Sequence, residues 1–290
     1  MMMLSAALSA AGFALSLAAA QAQPAPTLGP CEQPGAIGAI VDRPGLGRPT
    51  ANNGSPCVVP ALHIVIESGY RYQQTMGIGG TSTLEVLPLP LVRVGLGAHM
   101  ELGLAPPTFS NRGGADLGNP FIPARGEQDT GFGVKRMLDD RPSFQDAVEL
   151  FYTGPTGTPQ GTAGFSAGSP TYTLSYTTVF ALKENFGISV TQNAIDGASP
   201  LDPSGATRFF SYQPSLTLSY GVAPNFTLLA SDQVTTPLGP TGGTGNRGLL
   251  ALQRVVSPGV VVDAEYEINM LPASPSIRQH AFGAGVAFEL

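Results

Sequence analysis

The chain has 290 residues, 42% of them hydrophobic but only 12% charged, with 37 Gly, 27 Pro, 2 Cys, no Trp and a net charge of −6. The charged fraction is about half the usual quarter, and no run of eighteen apolar residues follows the N-terminus, which excludes helical membrane spans. The negative balance speaks against nucleic acid as a partner, because phosphate binding needs a basic surface.

Residues 4–22, LSAALSAAGFALSLAAAQA, form a short apolar core ending in the A-x-A pattern of Ala20-Gln21-Ala22. That pattern predicts a signal peptide over residues 1–22 and export, although Met1-Met2-Met3 bring no positive charge. Cys31 and Cys57, the only cysteines, both precede the first strand. In an exported chain they imply one disulfide, whose loop closure contributes about 3–4 kcal/mol by chain entropy. Two free thiols are the alternative; a metal site is the weakest reading, since no His lies between them. Residues 23–60 are therefore expected as a periplasmic segment lying outside the folded body.

From Pro60 onward the chain reads as strands and turns with no helix. The candidates are 62–72, 83–94, 99–105, 130–138, 146–153, 171–182, 185–193, 208–220, 225–234, 247–256, 259–270 and 277–290. Short connections (95–98, 139–145, 183–184, 221–224, 257–258) alternate with long ones (73–82, 106–129, 154–170, 194–207, 235–246, 271–276). Outer-membrane barrels have short periplasmic turns and longer external loops. An even strand count with this parity puts both termini on the periplasmic side. VGLGAHMEL (94–102), FALKENFGI (180–188), YGVAPNFTL (220–228) and RVVSPGVVV (254–262) align without gaps at four of the short turns, as one hairpin plan reused.

Period-two alternation assigns the faces. In 259–270, Val260, Val262, Ala264, Tyr266, Ile268 and Met270 oppose Asp263, Glu265, Glu267 and Asn269. In 208–220, Phe210, Tyr212, Leu216, Leu218 and Tyr220 oppose Ser211, Gln213, Ser215, Thr217 and Ser219. Polar residues inward and apolar residues outward are the reverse of a soluble barrel. The final stretch, Gln279 to Leu290, sets Phe282, Ala284, Val286, Phe288 and Leu290 on one face, with no polar tail. It resembles the C-terminal assembly signal of outer-membrane proteins, with Leu290 where an aromatic is usual, and so implies the barrel-assembly machinery and membrane lipids as partners. The expected fold is an all-β, transmembrane, antiparallel up-and-down barrel over residues 61–290 with about twelve strands.

Ten charged residues fall at candidate lumen-lining positions: Glu67, Arg71, Glu85, Arg93, Glu101, Lys135, Glu149, Asp263, Glu265 and Glu267. The ladder Asp263, Glu265, Glu267 is a candidate for holding a cation or for meeting basic groups across the lumen. Pairing across a narrow interior is favoured, because small barrels are filled by side chains. The loop 106–128, with Phe109, Arg112, Phe121 and Arg125, reads as a solvated loop, an inward plug or an external binding surface. A hydrolase would need a His beside a Ser or an acid at one rim. His63, His99 and His280 show no such spacing, so no enzyme, cofactor or metal is expected.

EVLPLPLVRVGLGAHMELGLAPP (85–107), DTGFGVKRML (129–138), Pro155-Thr156-Gly157 and YTTVFALKENFGISV (176–190) resemble the MetA-pathway of phenol degradation family of bacterial outer-membrane proteins. The resemblance spans residues 60–290. It implies a barrel of this strand count and passive transport of small hydrophobic or aromatic compounds. It brings no catalytic residues, and the Cys31–Cys57 segment has no counterpart in it. A filled, structural or ligand-binding barrel is the alternative.

Overall fold

A computed structural model describes residues 31, 55–77, 80–116, 124–158, 165–183, 185–198, 208–223, 225–236, 244–271 and 278–290. Residues 1–22, the expected signal peptide, lie outside the described residues, as does most of 23–60. No described helix is long and apolar enough to cross a membrane.

The strand segments are β1 (Ile64–Gly77), β2 (Gly80–Leu87), β3 (Leu91–Gly97), β4 (Met100–Ala105), β5 (Phe109–Asp116), β6 (Ala124–Glu127), β7 (Gly131–Arg141), β8 (Phe144–Thr153), β9 (Thr171–Lys183), β10 (Phe186–Ala198), β11 (Arg208–Ala223), β12 (Phe226–Thr235), β13 (Gly245–Ser257), β14 (Val260–Leu271) and β15 (Arg278–Glu289). Every described pairing between them is antiparallel, and β1 pairs with β15 from Val65 opposite Glu289 to Met76 opposite Arg278, which closes the cylinder. Segments β2 and β3, β4 and β5, and β6 and β7 are each one wall strand interrupted once, so the wall has twelve strands. This is the transmembrane barrel expected.

The interruptions fall at one height. Glu67 of β1 faces Leu91 and Arg71 faces Val86, so four steps along β1 match five along its partner. One residue is extra, as in a β-bulge. The next strand breaks in step: Val92 faces Leu104 below, Leu87 faces Phe109 above. So does the third, with Ala105 opposite Gly131 below and Phe109 opposite Glu127 above. Pro88, Pro90, Pro106 and Pro107 sit in the first two breaks, where a missing N–H cannot serve a ladder.

An extra residue exchanges the faces of everything beyond it. Arg93, Leu91 and Leu89 are buried on the inner face; past the break Val86 is buried and Leu87 is exposed. Glu85 shares the outer face with Tyr72, its partner across the ladder. The expectation of Glu85 as a lumen residue is therefore corrected, because alternation counted straight through 83–94 ignores the residue added at the prolines.

Two expected loops are also corrected. β1 and β2 meet at Gly77 opposite Gly80, so 73–82 is a tight hairpin. Within 106–128, Phe109–Asp116 and Ala124–Glu127 are wall, held by β2 on one side. On the other side Thr158 is the anchor: its N–H donates to the Glu127 carbonyl at 2.9 Å, and its Oγ1 accepts from the Glu127 N–H at 2.9 Å. At the opposite end, Ala98 and His99 both have positive φ in the two-residue turn from β3 to β4. That left-handed pair matches the twist of an antiparallel hairpin.

The outer face is apolar along most of its height. Leu102, Leu104, Phe132, Val134, Leu150, Leu174, Leu218, Leu228, Leu250, Val262, Phe282 and Phe288 are all exposed. Without Trp, Tyr and Phe form the girdles. One row holds Phe132, Tyr152 and Tyr172, with ring centroids 4.9 and 5.4 Å apart. Tyr266 and Phe282 stand 4.9 Å apart, and Tyr72 faces Phe282. Phe186, Tyr220, Phe226 and Phe288 mark the short-turn end. Ten residues separate Phe210 from Tyr220; at ~3.4 Å per residue and a ~40° tilt they span about 26 Å, close to the height of a lipid-facing band.

A nitroxide on cysteine introduced at Leu218 or Leu250 should show high collision with oxygen and low collision with a water-soluble nickel reagent. The same label at Thr217, buried inside and donating to Ser231 Oγ at 3.0 Å, should show low oxygen collision. Low oxygen accessibility at both leucines would mean that the faces are reversed.

Candidate functional site

The interior is built in three levels. At the short-turn end four charged side chains meet. Arg93 on β3 donates through Nε and Nη2 to the two oxygens of Glu101 on β4, at 3.0 and 2.9 Å, and through Nη1 to Glu67 on β1 at 3.2 Å. Lys135 on β7 reaches Glu101 Oε1 at 3.2 Å. All four are 3% exposed or less. A guanidinium fork on a carboxylate is the geometry that compensates such burial.

This cluster grips the chain's own N-terminal segment. The Val59 N–H donates to Glu101 Oε2 at 2.7 Å, Arg93 Nη2 donates to the Cys57 carbonyl at 3.4 Å, and Lys135 Nζ to the Ser55 carbonyl at 3.1 Å. Cys31 and Cys57 form a disulfide with Cα atoms 5.1 Å apart. They are buried with Val58 against Met137 of β7, and the Cys31 N–H donates to Asp140 Oδ1 at 3.3 Å. Gly95 makes room for the segment: a Cβ there would stand 1.9 Å from the Pro60 carbonyl oxygen. The expectation that the bridge lies outside the barrel is thus corrected. Nothing in its Gly/Pro-rich sequence shows that it folds back, but the acid and base pattern on β3, β4 and β7 supplies the sites that hold it.

The middle level is apolar on one side. Leu91, Ala105 and Phe151 pack together inside the wall. Phe151 lies over Gly131 and Gly133, where added Cβ atoms would come within 2.3 and 2.5 Å of its ring. Next to it along the wall, β9 to β12 present Thr173, Ser175, Thr177, Thr191, Asn193, Ser211, Gln213, Ser215, Thr217 and Ser231, all buried. The lumen is therefore divided between a hydroxyl and amide wall and an apolar patch that the strand-by-strand reading did not reveal.

Toward the long-loop end Glu267 on β14 stands between two arginines. Its Oε1 is 3.7 Å from Arg71 Nη2 and 3.6 Å from Arg247 Nη1. Arg71 donates to Gln73 Oε1 at 2.7 Å, and Arg247 donates to Gln233 Oε1. Glu265 and Asp263 continue the ladder on the same face, beside the small inner side of β15 at Gly283 and Gly285. Glu149 faces Lys135 and Ser175 across its two ladders. The structure thus brings Glu67, Arg93, Glu101 and Lys135 into one cluster and Arg71 and Glu267 into another. Glu149, opposite Lys135, and Asp263 and Glu265, on the Glu267 face of β14, continue these clusters along the inner face, and Glu85 is outside. Arg247 and the two glutamines were not singled out in the sequence; their inward parity was the available signal.

The histidines lie apart. His63 Nδ1 pairs with Glu289 Oε1 at 2.9 Å, His280 Nδ1 with the Tyr266 hydroxyl at 2.7 Å, and His99 sits in its turn. Among the described residues no three His, Cys, Asp or Glu side chains are grouped to hold a metal ion.

No protein-family model matches the chain, and no curated protein matches it. Solved structures do. An outer membrane channel from Pseudomonas putida F1 superposes with a TM-score of 0.61 at 13% identity, covering 84% of this chain and 100% of that one. The chain has the fold of an outer-membrane β-barrel. The NanC porin aligns at a TM-score of 0.48, with 11% identity over 77% of this chain and 100% of that one. The CymD monoaromatic hydrocarbon channel gives 0.44, with 8% identity over 90% and 97%.

Replacing Arg93 by Ala strands Glu67 and Glu101 without their shared cation. The loss should be about 3–5 kcal/mol, read as a lower urea midpoint for loss of heat-modifiable gel mobility, with Arg93→Lys recovering part of it. The cysteines of unreduced protein should resist alkylation even after unfolding. Reduction in the folded state should leave the band position unchanged but expose Ser55–Pro60 to protease.

Proposed function

We propose that this protein is a bacterial outer-membrane channel for small hydrophobic or aromatic molecules, working passively and without a cofactor, with both chain termini on the periplasmic side. The observation that carries the reading is the closed wall, apolar outside and polar within, that encloses a lumen with an apolar patch at Leu91, Ala105 and Phe151. The shared fold with an outer membrane channel supports it, as does the sequence resemblance to the MetA-pathway family. Membrane lipids and the barrel-assembly machinery are its proposed partners. A weak apolar step between polar walls suits conduction, because a ligand must leave as readily as it enters.

The segment clamped by Arg93, Glu101 and Lys135 favours a second reading, a filled barrel that passes nothing. The two readings separate in liposomes. Toluene or phenol should enter protein-containing vesicles faster than empty ones, and the Cys31→Ser/Cys57→Ser variant should be faster again, because the segment loses its staple. Equal rates for empty, wild-type and variant vesicles would establish the filled barrel.

A further inference from the structure

The long-loop mouth carries a feature that uptake of uncharged compounds does not use. A cavity of about 320 Å³ opens on the inner face between β1, β2 and β5, lined by Gln73, Thr75, Ser82, Thr83, Leu84 and Arg112. Its size is near the lower limit of the roughly 300–1,000 Å³ typical of ligand sites, which suits a one-ring compound. Arg112 faces inward because β5 lies beyond the break: it stands two residues from buried Ser110 and opposite Leu84 and Ala124.

The Arg112 guanidinium lies 5.1 Å from the centroid of the Phe165 ring. An aromatic face holds the plane of a guanidinium while leaving its N–H edge able to donate. Among the described residues Arg112 has no carboxylate partner. Just below, Arg71 Nη2 and Arg247 Nη1 stand 3.7 and 3.6 Å from Glu267 Oε1. The acids Glu267, Glu265 and Asp263 descend β14 on the inner face from there, whereas Arg112 stands apart on β5. On these faces Ser110 Oγ and Gln233 Nε2 are buried donors without a partner among the described residues. An unpaired buried donor costs free energy unless something accepts from it.

We propose that this mouth is a recognition site for small organic carboxylates, with the acid group on Arg112 and the carbon skeleton against Leu84. A fork of N–H donors matches a carboxylate, and the Arg112 cation attracts anions into a cleft with low-dielectric walls. The proposal rests on the channel reading for its setting and extends the cargo from uncharged aromatics to their acids.

The test uses full-length folded protein in detergent, with benzoate and the uncharged isostere benzyl alcohol as probes in calorimetric titration. Benzoate should bind the more tightly of the two, and its affinity should fall as salt rises. Arg112→Gln should weaken benzoate about tenfold or more, leave benzyl alcohol unchanged and keep heat-modifiable mobility, while Arg112→Lys recovers part of the loss. Equal affinity for both probes, or an Arg112→Gln variant that binds benzoate like the wild type, would overturn the proposal. Benzoate binding without flux of any aromatic would sink the channel reading alone; toluene flux without benzoate binding would sink only this inference.

Discussion

Hydrocarbon offers no partner to a peptide N–H or C=O, and every other feature of this barrel follows from that constraint. The wall must close, and it closes at the seam between β1 and β15, where the Ile64 and Leu290 backbones exchange hydrogen bonds of 3.2 and 2.8 Å. Closure forces the two faces apart chemically. Phe282 and Phe288 must suit lipid, while Ala281 and Ala287 on the same strand have almost no exposure. Closure also creates a lumen too narrow to leave unpaired charges unattended, so the interior acids and bases are arranged in shared clusters.

Those clusters divide the interior between holding and admitting. The tight one, around Arg93, binds backbone carbonyls and an N–H of the N-terminal segment, and its distances leave little slack. The loose one, around Glu267, keeps two guanidinium groups at longer range. Compact ion pairs at one end and longer ones at the other give the barrel a polarity along its axis. Strand pattern alone does not contain that difference, because both ends read as alternating charge.

Strand number, closure and most faces were legible because period two is a local property: Leu218 and Thr217 need only their neighbours in sequence to be assigned. Glu85 was misread because its face depends on a residue count across Pro88 and Pro90, and nothing local announces that one residue there is extra. Phe109–Asp116, rich in Gly and polar residues, lacks the apolar alternation of a membrane strand; it is a strand because β2 and β6 pair with it outside the apolar band. The N-terminal segment escaped for a similar reason. It is held through its own backbone atoms, which carry no side-chain signature, and Gly95, a small residue on an inner face, marks where it passes.

The three breaks stand in phase, and this makes them behave like a reading frame. Removing one residue from 88–90 alone would restore simple alternation in that strand, turning Glu85 inward and Val86 outward while β5 kept its present faces. Every cross-strand pair between them would then join an inner to an outer residue. A deletion in one break is thus a frameshift of the wall, and only matched deletions in all three would return it to register. Insertions and deletions in this region should therefore be inherited together or not at all.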